Sequence, residues 1–439
     1  MTYRLRSLIV FCFAFVAVLT TFTLPAAAQS NDYIVSFEQG TPKAARAAVA
    51  GRHGALRYNY GIVDAVAVTV TNENALRALS REAGVRSITP DHPVFASQSD
   101  HASDRASEKG KGKPGGNTPP PPPPPPQVTP AGVLRVGAPT ATSRGAGIKV
   151  GIVDTGIDLN HQDVAVVEGY NAFDGTSNCQ DDNGHGTHVA GTVAALDNAI
   201  DVRGVAPGAS LYCAKVLNAQ GQGSWSAVIA GLDWMWNDGH PRVQVVNMSL
   251  GGPGSNTDSE FRQAVARLHA AGVIVVVAAG NDPNLDVAEQ VPAAYTELVL
   301  TVASTTATDG ATACSVTIKK DTASYFTSDG AGVTISAPGE DKEDVVVRGA
   351  SCYLQSLGIL SLKLGGGTTR MSGTSMATPH VTGIVARLLE AADKPHTFDD
   401  IKFYFSNPLG ADLIGTAPLD SRAGGYSFDL YREGIAIIR

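Results

Sequence analysis

Hydrophobic and polar positions change rhythm twice along the chain, and each change marks a different kind of structure. From residue 31 to about 96 the segments are short. Tyr33-Ile34-Val35-Ser36-Phe37 alternates as a strand does, residues 44–49 have helical spacing, 63–70 alternate again, 75–83 read as a helix, and 85–89 close the set before Pro90. Strand, helix, strand, helix, strand in so few residues predicts a small α+β module of ferredoxin-like type. It holds no cluster of nucleophile, base and acid.

From residue 128 to about 395 the apolar runs are more continuous. Residues 148–153 run into Asp154-Thr155-Gly156, 243–246 into Asn247-Met248-Ser249, and 273–277 into Ala278-Ala279-Gly280-Asn281, with a further run at 298–302. Apolar strands separated by helical segments predict an α/β domain of three layers, a mostly parallel sheet covered on both faces. In such sheets ligands bind beyond the carboxyl ends of the strands, which sets Asp154 and Asn281 at a cleft.

Two further stretches carry chemistry. Gly373-Thr374-Ser375-Met376-Ala377-Thr378-Pro379 is a small-residue turn leading into a helix whose apolar positions are Val381, Ile384, Val385, Leu388 and Leu389. Ser375 falls in its first turn, where unpaired N–H groups and the positive dipole end favour developing negative charge. Pro379 is expected in that first turn as well, where a missing donor costs no bond. Ser375 reads either as a nucleophile or as an ordinary N-cap. In Asp182-Asn183-Gly184-His185-Gly186-Thr187-His188-Val189-Ala190-Gly191, small residues around His185 let another chain approach, and His188 has the place of a structural histidine. A zinc pair at these histidines lacks the i,i+4 spacing and glutamate of the usual helical site.

Composition adds compartment and organisation. Arg4 and Arg6 precede an apolar run over residues 8–19, and Ala26-Ala27-Ala28 has the small-residue cleavage pattern, so residues 1–28 read as an export signal. Cys12 lies in that leader. Cys179, Cys213, Cys314 and Cys352 remain, an even set suited to two disulfides in an oxidising compartment. Of three possible pairings, Cys179–Cys213 with Cys314–Cys352 is preferred because each closes a short loop. Residues 97–127 form a polar, glycine-rich linker ending in eight consecutive prolines, which make a stiff rod on the order of 25 Å long. A net charge of −8 gives no reason to expect nucleic acid as a partner. Residues 312–364 read as inserted surface structure, and the last residues as a short terminal strand.

Asp154, His185 and Ser375 occur in the chain order of the subtilisin arrangement. The stretches DTGID, NGHGTHVAG and GTSMATP, with SLGGPGS and AAGN, together resemble the subtilisin-like serine proteases over essentially everything after Gln127. The module at 31–96 resembles the inhibitory propeptide of that family. The resemblance implies a secreted serine endopeptidase made as a self-processing zymogen, with residues 128–439 as the peptidase domain. Ser375 would attack, His185 would act as base and then acid, Asp154 would orient the imidazole, and Asn281 with the Ser375 N–H would bind the oxyanion. Substrate would bind as an added strand between Ser249-Leu250-Gly251 and Gly221-Gln222-Gly223, with Trp225 walling an apolar subsite. A structural calcium is implied at Gln127, Asp163, Leu196, Asn198, Ile200 and Val202. Peptide or protein substrates, its own propeptide as intramolecular inhibitor, no membrane partner and a monomeric state complete the expectation.

Overall fold

The computed structural model describes residues 31–97, 126–236, 241–257, 259–349, 351–391, 396–412, 419–420 and 434–438. The stretch read as an export signal and most of that read as a linker lie outside these residues. The first module follows the predicted rhythm with one strand more: β1 (Asp32–Phe37), α1 (Lys43–His53), β2 (Ala55–Asn59), β3 (Ala65–Thr69), α2 (Glu73–Leu79) and β4 (Val85–Pro90). β2 escapes the alternation because its first three residues are all exposed. The sheet is antiparallel in the order β2-β3-β1-β4, the ferredoxin-like arrangement. One face, with Val35, Phe37, Val66 and Val68, packs under the module's own helices through Val49, Ala50 and Leu79. The other face sends Ile34, Ala65 and Ala67 into the core of the large domain.

β5 (Pro93–Ala96) ends the first module's stretch, and the large domain follows through α3 (Ala131–Arg135), β6 (Lys149–Asp154), β7 (Val166–Asn171), α4 (His185–Ala194), β8 (Ser210–Lys215), β9 (Gln222–Ser224) and α5 (Trp225–Trp236). Then come β10 (Val245–Met248), β11 (Leu250–Pro253), α6 (Glu260–Ala270), β12 (Ile274–Ala278), β13 (Gln290–Val291), β14 (Val299–Thr306) and β15 (Thr322–Ala323). β16 (Ile335–Arg348), β17 (Ser351–Leu362), β18 (Thr368–Met371), α7 (Thr374–Glu390) and α8 (Phe398–Phe405) complete the main elements.

β7, β8, β6, β10, β12, β14 and β16 lie side by side in that order, all parallel. Strand alternation divides their side chains between two cores. Val150, Ile152, Val245, Ile274, Val276 and Leu300 face α4, α7 and α8, whereas Val153, Val246, Val275, Val277 and Val299 face α5 and α6. Both faces being dry explains why these strands read as near-continuous apolar runs. The strand order reverses between β6 and β10, and Asp154 and Ser249 stand at the carboxyl ends on either side of that reversal.

The stretch read as inserted surface structure turns out to extend the sheet. β16 and β17 form a long antiparallel hairpin, continued by β18. Its tip is exposed at Val347 and Tyr353, but its base carries Ile359 and Leu362 into the core beneath α4. The reading failed because the tip's surface character hides the buried base. The two disulfides are Cys179–Cys213 and Cys314–Cys352. Near the chain end, Ile435–Ala436 forms a short strand pairing with Ser336.

The module docks on α5 and α6 through polar contacts as well as its apolar face. Asp91 caps the start of α5, accepting from the Ser226 N–H at 2.9 Å and hydroxyl at 2.6 Å, and is bridged to Arg57 at 3.2 Å. Asp233 accepts from the N–H groups of Gly61 and Ile62 at 2.7 and 2.6 Å. The Tyr60 hydroxyl donates to the Ser226 carbonyl at 3.0 Å.

Candidate active site

Asp154 is the last residue of β6 and is fully buried. Its Oδ1 accepts from the Thr155 N–H at 2.7 Å and lies 2.7 Å from Nδ1 of His185, the first residue of α4. Gly186 makes that approach possible, because a Cβ there would stand 2.1 Å from the Gly156 carbonyl oxygen. His185 Nε2 is buried and makes no hydrogen bond. His188, one turn on, points elsewhere: its Nε2 lies 2.9 Å from the Ile359 carbonyl, and burial holds the ring down to about 3, neutral throughout the working range. The two histidines therefore serve separate partners.

Asp181 organises this corner and was not singled out in the sequence. One of its oxygens accepts from the Thr155 hydroxyl and the N–H groups of Asn183 and Gly184, the other from the N–H and hydroxyl of Thr187. It thus ties the turn after β6 to the first turn of α4. An aspartate just ahead of a predicted helix start was the available signal.

Ser375 is the second residue of α7 and fully buried. Its hydroxyl donates to the Ser249 carbonyl at 2.9 Å, and the Ser249 hydroxyl donates back to the Ser375 carbonyl at 2.9 Å. This exchange corrects the expectation for Pro379, which is the sixth residue of the helix and not part of its first turn. A helical N–H at position 379 would bond the carbonyl of residue 375. Proline has none, and the Ser249 hydroxyl takes its place. Ser249 is held in turn by Asn247, whose amide donates to it at 2.9 Å and accepts from Thr382 at 2.8 Å. Asn281 sits beside the start of α7. Its Oδ1 accepts from the Thr374 N–H and hydroxyl at 2.9 and 3.0 Å, and its Nδ2 is buried without a partner.

The residues read as a substrate groove do flank an extended segment: the chain's own β5. Leu250 and Gly251 of β11 pair antiparallel with Ala96 and Phe95, while Gln222, Gly223 and Ser224 of β9 pair antiparallel with Phe95, Val94 and Pro93. The Ala96 N–H donates to Gly221 at 2.9 Å, the Ser97 N–H to Ser249 at 3.2 Å, and the Ser375 N–H to the Ser97 carbonyl at 3.3 Å. Trp225, at the start of α5, is buried with its ring 4.5 Å from His92 and 5.9 Å from Phe261.

The six residues expected around calcium also converge. Gln127 Nε2 lies within 2.7–3.2 Å of the carbonyl oxygens of Leu196, Ile200 and Val202 and of Asn198 Oδ1. Asp163 accepts from the Asn198 amide at 2.7 Å and the Val202 N–H at 3.1 Å, and burial pushes its carboxyl up to about 6. Among the described residues no three His, Cys, Asp or Glu side chains group as a metal site, so the cage is one of carbonyl and amide oxygens with a single carboxylate.

The Subtilase family profile matches residues 145–411. Subtilisin DY of Bacillus licheniformis is 39% identical over 268 residues, spanning 60% of this chain and 85% of that protein. Subtilisin amylosacchariticus of Bacillus subtilis subsp. amylosacchariticus is 30% identical over 367 residues, spanning 81% of this chain and 80% of that protein. A solved structure described as a cold adapted subtilisin-like serine proteinase is 32% identical, covering 62% of this chain and 84% of that one, with a TM-score of 0.49. With the profile covering well over half of its length and these relatives beside it, the chain belongs to the subtilase family and is a serine-type endopeptidase.

Proposed function

We propose that the protein is a secreted endopeptidase that hydrolyses peptide bonds through an acyl-enzyme on Ser375, and that residues 31–96 are its inhibitory propeptide. The observation that carries this reading is the segment at 93–97, seated as a third strand in the groove with its last carbonyl on the Ser375 N–H. For the reaction, the Ser375 hydroxyl leaves the Ser249 carbonyl and gives its proton to His185 Nε2, the atom that has no other partner. Asp154 holds the opposite ring nitrogen and stabilises the cation that results. The Ser375 N–H and Asn281 Nδ2 receive the oxyanion. Antiparallel pairing on both sides reads backbone and tolerates many side chains, which suits a protease of broad substrate range.

The propeptide role gains support from the longer alignment. Residues 97–439, linker and peptidase domain together, are 343 of 439, about 78% of the chain, so a match spanning 81% takes in part of the first module. The layout is then an export signal at 1–28, propeptide at 31–96, linker at 97–127 and peptidase domain at 128–439, working as a monomer on proteins in an oxidising compartment outside the cytoplasm. Among the described residues no helix is long and apolar enough to cross a membrane. A fluorophosphonate probe is expected to label Ser375 alone, in a protein that cleaves casein. Labelling elsewhere, or esterase activity without proteolysis, rejects the reading.

The oxygen cage fits calcium. Four oxygens already surround one atom of Gln127, Asp163 adds a carboxylate, and Gln127 would contribute its side-chain oxygen in place of the nitrogen, the kind of donor set this ion takes. A bound ion there would tie the start of the peptidase domain to the loop after α4. A hundredfold excess over the dissociation constant stabilises by about 2.7 kcal/mol, so chelation is expected to lower Tm by roughly 4 °C. Asp163→Asn should lower Tm in calcium and blunt the response to chelator. An unchanged Tm in wild type on chelation removes calcium from the account.

A further inference from the structure

We infer that the first peptide bond this protein cuts is its own Ser97–Gln98 bond, and that the enzyme released carries Gln98 at its N-terminus with the proline rod still attached. The inference rests on the protease reading above and adds to it the bond and the product.

An acyl acceptor is identified by which carbonyl oxygen sits on the oxyanion donors. Only one residue of the seated segment has that place. Ser97 accepts from the Ser375 N–H at 3.3 Å, and the other proposed donor, Asn281 Nδ2, is buried nearby without a partner. The register cannot slide by one residue, because the pairing is fixed on both edges. Leu250 faces Ala96 and Gly251 faces Phe95 on one side, with Gly223 facing Val94 on the other. Val94 is fully buried in the large domain's core, and a Cβ on Gly223 would stand 3.3 Å from its methyl group, so the segment is anchored by a filled pocket three residues before Ser97. A one-residue shift would turn Val94 out and bring Phe95, now 44% exposed, or Pro93 inward. His92 adds a further fixed point, its carbonyl accepting from the Trp225 N–H at 2.9 Å.

The step balances within the chain. Ser375 Oγ bonds to the Ser97 carbonyl carbon as its proton passes to His185. The Ser97–Gln98 bond then breaks, and that proton goes to the departing amine of Gln98. Water splits the ester, restoring the Ser375 hydroxyl and leaving a Ser97 carboxylate.

The far end of the linker explains why the cut needs no refolding. Gln127 is already in the oxygen cage, and Val128 is bonded to Asp201 at 2.8 Å and Arg203 at 3.0 Å while Ser97 is in the groove. The 29 residues from 98 to 126 join these two docked ends, with a reach of roughly 95 Å when extended. Cutting at Ser97 changes no contact at Gln127, so the cut requires no rearrangement at the start of the peptidase domain. It also leaves linker residues 98–127 on the enzyme.

The test is intact-mass measurement on the full chain as it first processes, beside its Ser375→Ala variant. Expected are a released module ending at Ser97, an enzyme beginning at Gln98, and an uncut variant. Val94→Asp, which puts a carboxylate into the filled pocket, should slow this cut at least tenfold, while the enzyme finally released cleaves casein at the wild-type rate. A first module ending anywhere but Ser97, or a Val94→Asp precursor cut as fast as wild type, overturns the inference. Both outcomes leave the protease reading standing when the wild type still labels with fluorophosphonate. An unlabelled wild type takes down the reading itself.

Discussion

Ser375→Ala is expected to lower turnover of a peptide substrate by a factor on the order of 10⁶, and His185→Ala by as much, the scale known for these replacements in subtilisin. The two losses should not multiply, because the two side chains act as one unit. A serine hydroxyl is a weak nucleophile until a base takes its proton, and the unpartnered Nε2 of His185 is the base in the proposed reaction. Either residue alone is therefore nearly useless. The double variant should turn over about as slowly as each single one, with the remaining rate coming from binding and oxyanion donors. Asp154→Asn should cost less, about 10⁴, since the ring keeps its place but not its tautomer. The measurement is kcat for all four variants on one chromogenic peptide, with the mature enzymes obtained by cutting the linker in trans. A double variant far slower than either single one would mean the two side chains act independently, against the proposed mechanism.

What the sequence made legible follows from how locally each feature is encoded. The parallel strands stood out because both faces are dry, and the turns carrying Asp154 and His185 because their glycines are forced by close backbone approach, as at Gly186. Two features were hidden because they are made by residues far apart. β5 has no signal of its own, and its partners Gly223 and Leu250 lie well over a hundred residues downstream. The bond from the Ser249 hydroxyl to the Ser375 carbonyl, which Pro379 leaves without a helical donor, depends on a strand end meeting a helix. β2 has exposed residues where an alternating pattern would be expected. The hairpin of β16 and β17 misled for a related reason: its buried base and exposed tip belong to the same strands, so neither pattern runs long enough to be read.

Asn281→Ala is expected to lower kcat about 10²–10³-fold with little change in KM, the scale found for loss of the corresponding amide in subtilisin. Its side chain has two ends with different duties, and the substitution removes both. Oδ1 holds the N–H and hydroxyl of Thr374 at the start of α7, so its loss should also cost stability, roughly 1–2 kcal/mol for two hydrogen bonds. Nδ2 holds nothing in the resting protein, which is the condition of a donor kept for a charge that appears only during reaction. Thr374→Ala separates the two. It removes the hydroxyl that bonds both Asn281 and the Gly280 N–H, yet leaves the Asn281 amide nitrogen in place. Its Tm should fall by a similar amount, while kcat falls by no more than about tenfold. If Thr374→Ala proves as slow as Asn281→Ala, the damage is disorder at the helix start and the oxyanion role for Asn281 fails. If Asn281→Ala raises KM as much as it lowers kcat, the amide binds ground state and transition state alike, and it cannot be a source of rate.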